Sequence, residues 1–233
     1  MSMNIAWGIS GAGYMLRESF ETMYNLSKSH RITAFLSSSA EEVIEIYGLM
    51  EKLGMICDGS YLREIFKDRE EGASSVHTGR FYFGKYDLLV ISPATTNTIA
   101  KIAHGISDTL VTNAATHAMK AKVPVYVCPT DIKETTVELP YSIDLDVCKK
   151  CEICIAEKVC ERGAIRNFRI DVSKCNSCGI CEEYCPYNAI KKKKFNLEPR
   201  DVDLENLEKI RKMGIGILSR PDELYEVISL YSR

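Results

Sequence analysis

The stretch Asn4-Ile5-Ala6-Trp7-Gly8-Ile9-Ser10-Gly11-Ala12-Gly13 decides how this chain folds. Asn4 to Ser10 is apolar almost throughout, the pattern of a strand buried on both faces. It runs into a glycine-rich turn, and Tyr14 to Lys28 then has helical periodicity. The same unit recurs downstream. Arg31 to Leu36 reads as a second strand, followed by Ser37-Ser38-Ser39 and a helical run from Ala40 to Leu53. Tyr86 to Ser92 is a strongly apolar strand ending at Pro93, Thr96 to His104 and Asp108 to Ala121 read as helices, and Pro124 to Cys128 is a further strand. Strands alternating with helices predict an α/β fold, a doubly wound, flavodoxin-like parallel sheet with ligands at the carboxyl ends of its strands.

Near the C-terminus the pattern resumes, with a helix over Leu204 to Met213, a short strand over Ile215 to Leu218, and a helix over Pro221 to Leu230 that has proline at its start. A strand and two helices cannot be stable alone. The expectation is that they return to the N-terminal sheet, the alternative being a free appendage. The organisation predicted is therefore an α/β domain over residues 1–140 and 196–233, interrupted by a segment over 141–195.

That segment holds eight of the ten cysteines. Cys148, Cys151 and Cys154 are followed by Cys160; Cys175, Cys178 and Cys181 are followed by Cys185-Pro186. Three cysteines at successive i, i+3 spacing supply three thiolates to one face of a cubic cluster and cannot reach its fourth iron. In bacterial-type two-cluster ferredoxins the fourth ligand comes from the other motif. The predicted sets are Cys148, Cys151, Cys154 and Cys185 for one [4Fe–4S] cluster, and Cys160, Cys175, Cys178 and Cys181 for the other. Zinc ribbons use separated pairs of cysteines rather than triplets. Gly163-Ala164-Ile165 and Asn188-Ala189-Ile190 repeat a small-then-apolar unit, as an internal duplication gives. The first motif departs from the pattern: five residues separate Cys154 from Cys160, and no proline follows Cys160. Lys191 to Lys194 reads as a solvated edge or as a docking site for an acidic electron donor.

The bulk properties exclude other classes. A chain of 233 residues with a 45% hydrophobic content buries a sizeable core. A net charge of −2 calls for neither nucleic acid nor an anionic membrane. Met1-Ser2-Met3-Asn4-Ile5 lacks the basic and apolar regions of a signal peptide, and no apolar run spans a bilayer. A cytoplasmic location follows as an expectation, with thiols reduced or metal-bound.

Three loops fall where such a sheet binds ligands: Gly8 to Gly13, Ser37 to Ser39, and Pro93 to Lys101 with Gly105-Ile106-Ser107-Asp108 behind it. The first offers backbone N–H groups to a phosphate, but it is neither a dinucleotide signature nor a Walker loop. Serines in the second suit a monophosphate or a plain helix cap. Ser10-Gly11-Ala12, the Pro93 to Lys101 run, Gly105-x-x-Asp108 and Asn113-Ala114-Ala115 resemble the FMN-binding flavoproteins that include the cysteine decarboxylases and the prenyltransferase of ubiquinone synthesis. With the ferredoxin segment, nearly the whole chain resembles the archaeal acceptor-type dihydromethanopterin reductases, a family of iron–sulfur flavoproteins of methanogens. The resemblance implies FMN bound between the subunits of a trimer, and a homo-oligomer built from trimers. Ser10, Gly11, Ala12 and Gly13 would approach FMN, with Ser37 and Ser38 near its phosphate. Thr95, Asn97 and Thr98, and Asn113, Ala114 and Ala115, would lie along its ribityl and ring. It also implies a pterin substrate, 7,8-dihydromethanopterin, and reduced ferredoxin or a similar donor. The alternative is an electron-transfer flavoprotein with no small-molecule substrate of its own.

Decarboxylation is disfavoured, because Cys128-Pro129-Thr130-Asp131 stands where decarboxylases carry Pro-Ala-Met-Asn. His77 is the candidate proton donor, against the ordinary reading of a solvated loop histidine. Cys57 and Cys128 read as buried thiols, and Trp7 as core. Tyr14 reads as a cover for the flavin ring or as the first packing residue of its helix.

Overall fold

The computed structural model describes residues 2–231, and these divide into two compact units. One comprises Met1–Ile44, Leu49–Lys133 and Glu198–Arg233; the other comprises Glu45–Gly48 and Glu134–Leu197.

The larger unit holds a six-stranded parallel sheet of β1 (Asn4–Ile9), β2 (Arg31–Leu36), β3 (Ile65–Lys67), β4 (Leu88–Ala94), β5 (Val125–Pro129) and β10 (Gly216–Ile217). Its order is β10-β5-β4-β1-β2-β3. Every residue of β4 is buried, and every residue of β1 after Asn4. This is what the continuous apolar runs require of a sheet covered on both faces. Around the sheet are α1 (Leu16–Ser27), α2 (Ser38–Ile46), α3 (Met50–Ile56), α5 (Thr96–Ala103), α6 (Leu110–Lys120), α9 (Asp201–Lys212) and α10 (Leu224–Tyr231), with a single turn, α4 (Asp68–Glu71), after β3. β10 pairs with β5, and α9 supplies Leu207 and Ile210 to the core, so the C-terminal elements complete this unit.

The doubly wound sheet and the ferredoxin-like segment agree with the expected fold class, with differences in detail. The run expected as one helix over Ala40 to Leu53 is α2 and α3, broken at Gly48 in the left-handed region (φ 67°). Such a backbone suits glycine and ends a helix. β3 was not legible, because three residues of an edge strand give no period to read. The final helix starts as a 3₁₀ turn over Pro221–Glu223.

One buried histidine closes the start of β1. His30 is buried, and its Nδ1 accepts the Met3 N–H at 3.1 Å. Burial holds the imidazole below its ordinary value of 6.5. The unfolded chain therefore takes up this proton at a higher pH than the folded one, so the neutral ring's contribution is complete above about pH 6.5 and is lost as pH falls. Denaturant melts at pH 7.5 and 5.5 are expected to show His30→Asn costing less stability at the lower pH.

The smaller unit contains the antiparallel pair β6 (Thr135–Ile143) and β9 (Ile190–Leu197) and the short hairpin β7 (Ile165–Arg166) and β8 (Arg169–Ile170). Two short helices stand at the two cysteine triplets: α7 (Ile155–Val159) directly follows Cys154, and α8 (Ile180–Glu183) contains Cys181. Tyr141, Ala156, Ile165, Cys181 and Ile190 form its own small core.

Candidate flavin and iron–sulfur sites

β1 lies between β2 and β4 in the larger sheet, and the chain's direction of winding reverses between β1 and β4. The crevice outside the carboxyl ends of such a strand pair is where doubly wound sheets bind ligands. Two of the loops singled out in the sequence are joined there. The Ser10 hydroxyl donates to the Pro93 carbonyl at 2.9 Å and accepts the Thr95 N–H at 2.8 Å. Ser10 N–H also donates to Pro93 O at 3.2 Å. Thr95 then caps α5, its hydroxyl accepting the Thr98 N–H at 3.2 Å and lying 3.0 Å from the Thr98 hydroxyl. Asn97 is exposed in the first turn, beside N–H groups that helix formation leaves without partners.

This arrangement gives Ser10 a definite part. It is 2% exposed and both hydrogen bonds of its hydroxyl are internal. Its hydroxyl therefore latches two loops. Ser10→Ala removes the partner of the half-buried Thr95 N–H, at a cost of about 1 kcal/mol. Thermal denaturation should register that loss.

Gly11 has no space for a side chain. A Cβ there would sit 2.5 Å from Ser39 Cβ and 3.1 Å from Ser39 C. Ser39 belongs to the first turn of α2, so only glycine lets the β1 loop approach that helix end. Ala12 is buried, while Gly13 is half-exposed and Tyr14 exposed. The Ser37 hydroxyl caps α2, accepting the Ala40 N–H at 3.1 Å. That of Ser38 donates to Asp68 Oδ2 at 3.0 Å, while Asp68 Oδ1 accepts the Leu110 N–H at the start of α6 at 2.6 Å. Asn113 is half-buried, and its amide donates to the Ser107 and Thr109 carbonyls at 3.0 and 3.1 Å. Ala114 and Ala115 are fully buried in the sheet-facing core.

His77 is not simply solvated. Its Nδ1 lies 2.6 Å from Glu71 Oε1, and its ring stacks on Phe66 with centroids 4.0 Å apart. A carboxylate accepts, so Nδ1 carries the proton in that bond, and the neutral ring keeps its lone pair on Nε2. Trp7 is fully buried, with Nε1 donating to Ser92 O at 2.9 Å. Cys57 and Cys128 are buried, and burial pushes both thiols up to about 12, far from thiolate character.

The other eight cysteines line two separate cavities in the smaller unit. Cys148, Cys151, Cys154 and Cys185 line one of about 200 Å³. Cys160, Cys175, Cys178 and Cys181 line the second, smaller one. Burial, and the facing Cys175, Cys178 and Cys160, push the Cys181 thiol up to about 11. Thiols crowded in this way become thiolates when a cation joins them, so loading releases protons. A zinc ion needs its sulfurs about 2.3 Å from one point; sulfurs spread around a cavity suit a cluster.

A switch-point cradle and a cysteine-lined ferredoxin segment in one chain define the class: an iron–sulfur flavoprotein, an oxidoreductase. A flavoprotein family model matches residues 1–137, and a 4Fe-4S binding domain model matches residues 168–191. The dihydromethanopterin reductase (acceptor) of Methanosarcina mazei is 44% identical over 96% of this chain and 98% of its own length. That of Methanocaldococcus jannaschii is 42% identical over 99% and 97%. Among solved structures, Burkholderia xenovorans DmrB in complex with FMN, described as a cubic protein cage for redox transfer, has a TM-score of 0.65 and 28% identity, covering 97% of this chain and 93% of its own. The chain belongs to the flavoprotein family and, within it, to the dihydromethanopterin reductases (acceptor).

Proposed function

We propose that this chain takes electrons from a reduced donor such as ferredoxin, through two [4Fe–4S] clusters, to FMN, and so reduces 7,8-dihydromethanopterin to tetrahydromethanopterin. The observation that carries this reading is the sorting of eight cysteines into two four-cysteine cavities, in a chain whose remainder is a flavoprotein sheet. When bound, clusters relay single electrons and a flavin stores two for delivery to an organic double bond.

The residues divide the work. Each quartet supplies four thiolates. Gly11, Ala12 and Gly13, with Ser10 through its backbone, receive FMN at the switch point, and Ser37 and Ser38 stand at the neighbouring strand end. Thr95, Asn97 and Thr98 present the first turn of α5, and Asn113 an amide; Ala114 and Ala115 hold α6 to the sheet beneath them. His77, held by Glu71 and Phe66, is the proposed proton donor to the pterin, giving the Nε2 proton that its protonated ring carries while Nδ1–H stays on Glu71. Assembly into trimers with FMN between subunits is part of the same proposal, as is a cytoplasmic location, where the thiols stay reduced. Among the described residues, no helix is long and apolar enough to cross a membrane.

The test is direct. Protein purified without oxygen should contain FMN and about eight irons per chain, the content of two [4Fe–4S] clusters. Once reduced, its flavin should reoxidise on adding dihydromethanopterin. A flavin that stays reduced with the pterin but reoxidises with an oxidised protein partner would replace this reading with that of an electron-transfer protein.

A further inference from the structure

The two cysteine cavities differ in what else lines them. Around Cys148, Cys151, Cys154 and Cys185 stand isoleucines 143, 153, 155 and 190 with Phe168, Pro186 and Tyr187, and, among the described residues, no charged side chain. Around Cys160, Cys175, Cys178 and Cys181 the wall is also largely apolar, with Tyr141 and isoleucines 165, 170 and 180, but it adds Arg162 and Asn176. There too the Ala164 N–H donates to Cys160 Sγ at 3.3 Å, and Cys178 is the exposed member of the eight.

We infer that Arg162 makes the cluster held by Cys160, Cys175, Cys178 and Cys181 the higher in reduction potential, so that the first electron entering the chain rests there. The inference builds on the two-cluster reading above. Reduction adds one negative charge to a centre already surrounded by four thiolates. A positively charged residue lining the cavity, an N–H bonded to a ligand sulfur and access to water each stabilise the more negative state. An aliphatic and aromatic wall stabilises it least, because it offers neither dipoles nor counter-charge. All three differences point the same way. Arg162 is itself exposed and its Nη2 donates to Glu45 O at 3.3 Å, but it lines the cavity, whereas Lys149, Lys150, Glu182 and Glu183 are exposed and line neither. Phe168 is the counterpart of Arg162. It stands at the tip of the β7–β8 hairpin with φ 57° and lines the apolar cavity.

The experiment is an anaerobic redox titration of the whole protein followed by electron paramagnetic resonance, with iron counted on each sample. Wild type is expected to show two separated reduction steps, and Cys160→Ser to lose the upper one. Arg162→Gln should lower the upper midpoint and leave the other in place, while Arg162→Lys should keep most of the separation. Phe168→Asn, whose side chain tolerates a positive φ, should raise the lower midpoint. Superimposed wild-type steps, an unmoved upper midpoint in Arg162→Gln, or loss of the lower step in Cys160→Ser would overturn the inference. Fewer than about eight irons in wild type would instead overturn the two-cluster reading beneath it.

Discussion

Replacing Cys185 with serine is expected to remove the cluster bound at the first cysteine motif, and replacing Cys160 to remove the one at the second. Sequence order suggests the reverse, since Cys185 follows Cys175, Cys178 and Cys181 directly. The fold crosses the assignment: Cys185 shares a cavity with Cys148, Cys151 and Cys154, and Cys160 shares one with the second triplet. Serine nearly keeps the volume but does not ionise near neutral pH, so it cannot supply the thiolate. Each variant should fall from about eight irons per chain to about four. The magnetic signal left in Cys185→Ser should match that of Cys148→Ser, and the signal left in Cys160→Ser that of Cys175→Ser. A match of Cys185→Ser with Cys175→Ser would show uncrossed ligands and discard the assignment. Flavin content guards against trivial unfolding, because the larger unit has a separate hydrophobic core, built on Phe35, Phe81, Leu89 and Ile91.

The crossed pairing also shows what a sequence reveals and what it hides. The i, i+3 triplets were legible because a cube dictates their spacing. The matched 4Fe-4S model covers residues 168–191 and so holds the second quartet's triplet and Cys185-Pro186 but not Cys148 to Cys160. The five-residue loop before Cys160 is what departs from the standard pattern there. The large strands were legible because burial on both faces forces near-continuous apolar runs. β3, β7 and β8 were not, since two or three residues carry no period. At the proposed flavin cradle, residue type pointed to loops that the fold joins, but not to what each side chain does there. Ser10 read as one of four residues approaching FMN, and its hydroxyl is a latch between two loops. Ser37 has the cap role its position before a helix also allowed. Asp68 showed no sign of its role, because joining Ser38 to the start of α6 depends on contacts 30 and 42 residues away. His77 looked like a loop histidine, and only the folded chain brings Phe66 under its ring.

Gly11 is the residue whose substitution is expected to cost the flavin most. An alanine methyl there meets Ser39 Cβ at 2.5 Å, Ser39 Oγ at 3.0 Å and Ser39 C at 3.1 Å. The first of these is closer than packed carbon atoms come, and the atoms met belong to a helix end rather than to a flexible tip. Either the β1 loop or the first turn of α2 must move, at about 1–3 kcal/mol for such overpacking. The Gly11 to Gly13 backbone would move with it, away from the switch point between β1 and β4. A shift of that kind should weaken FMN retention at least tenfold, or about 1.4 kcal/mol. Flavin fluorescence released from purified Gly11→Ala, compared with its iron content, separates this from general damage: the flavin falls while iron stays at the wild-type level, since the cysteines belong to the other unit. Ser39→Gly supplies the reciprocal control. It removes the Cβ and Oγ that the new methyl meets, at a helix-propensity cost of no more than about 1 kcal/mol. The double variant Gly11→Ala with Ser39→Gly should therefore recover most of the flavin that Gly11→Ala alone loses. Wild-type flavin content in the single variant would show that the Gly11 loop is not the cradle, whatever the rest of the sheet binds.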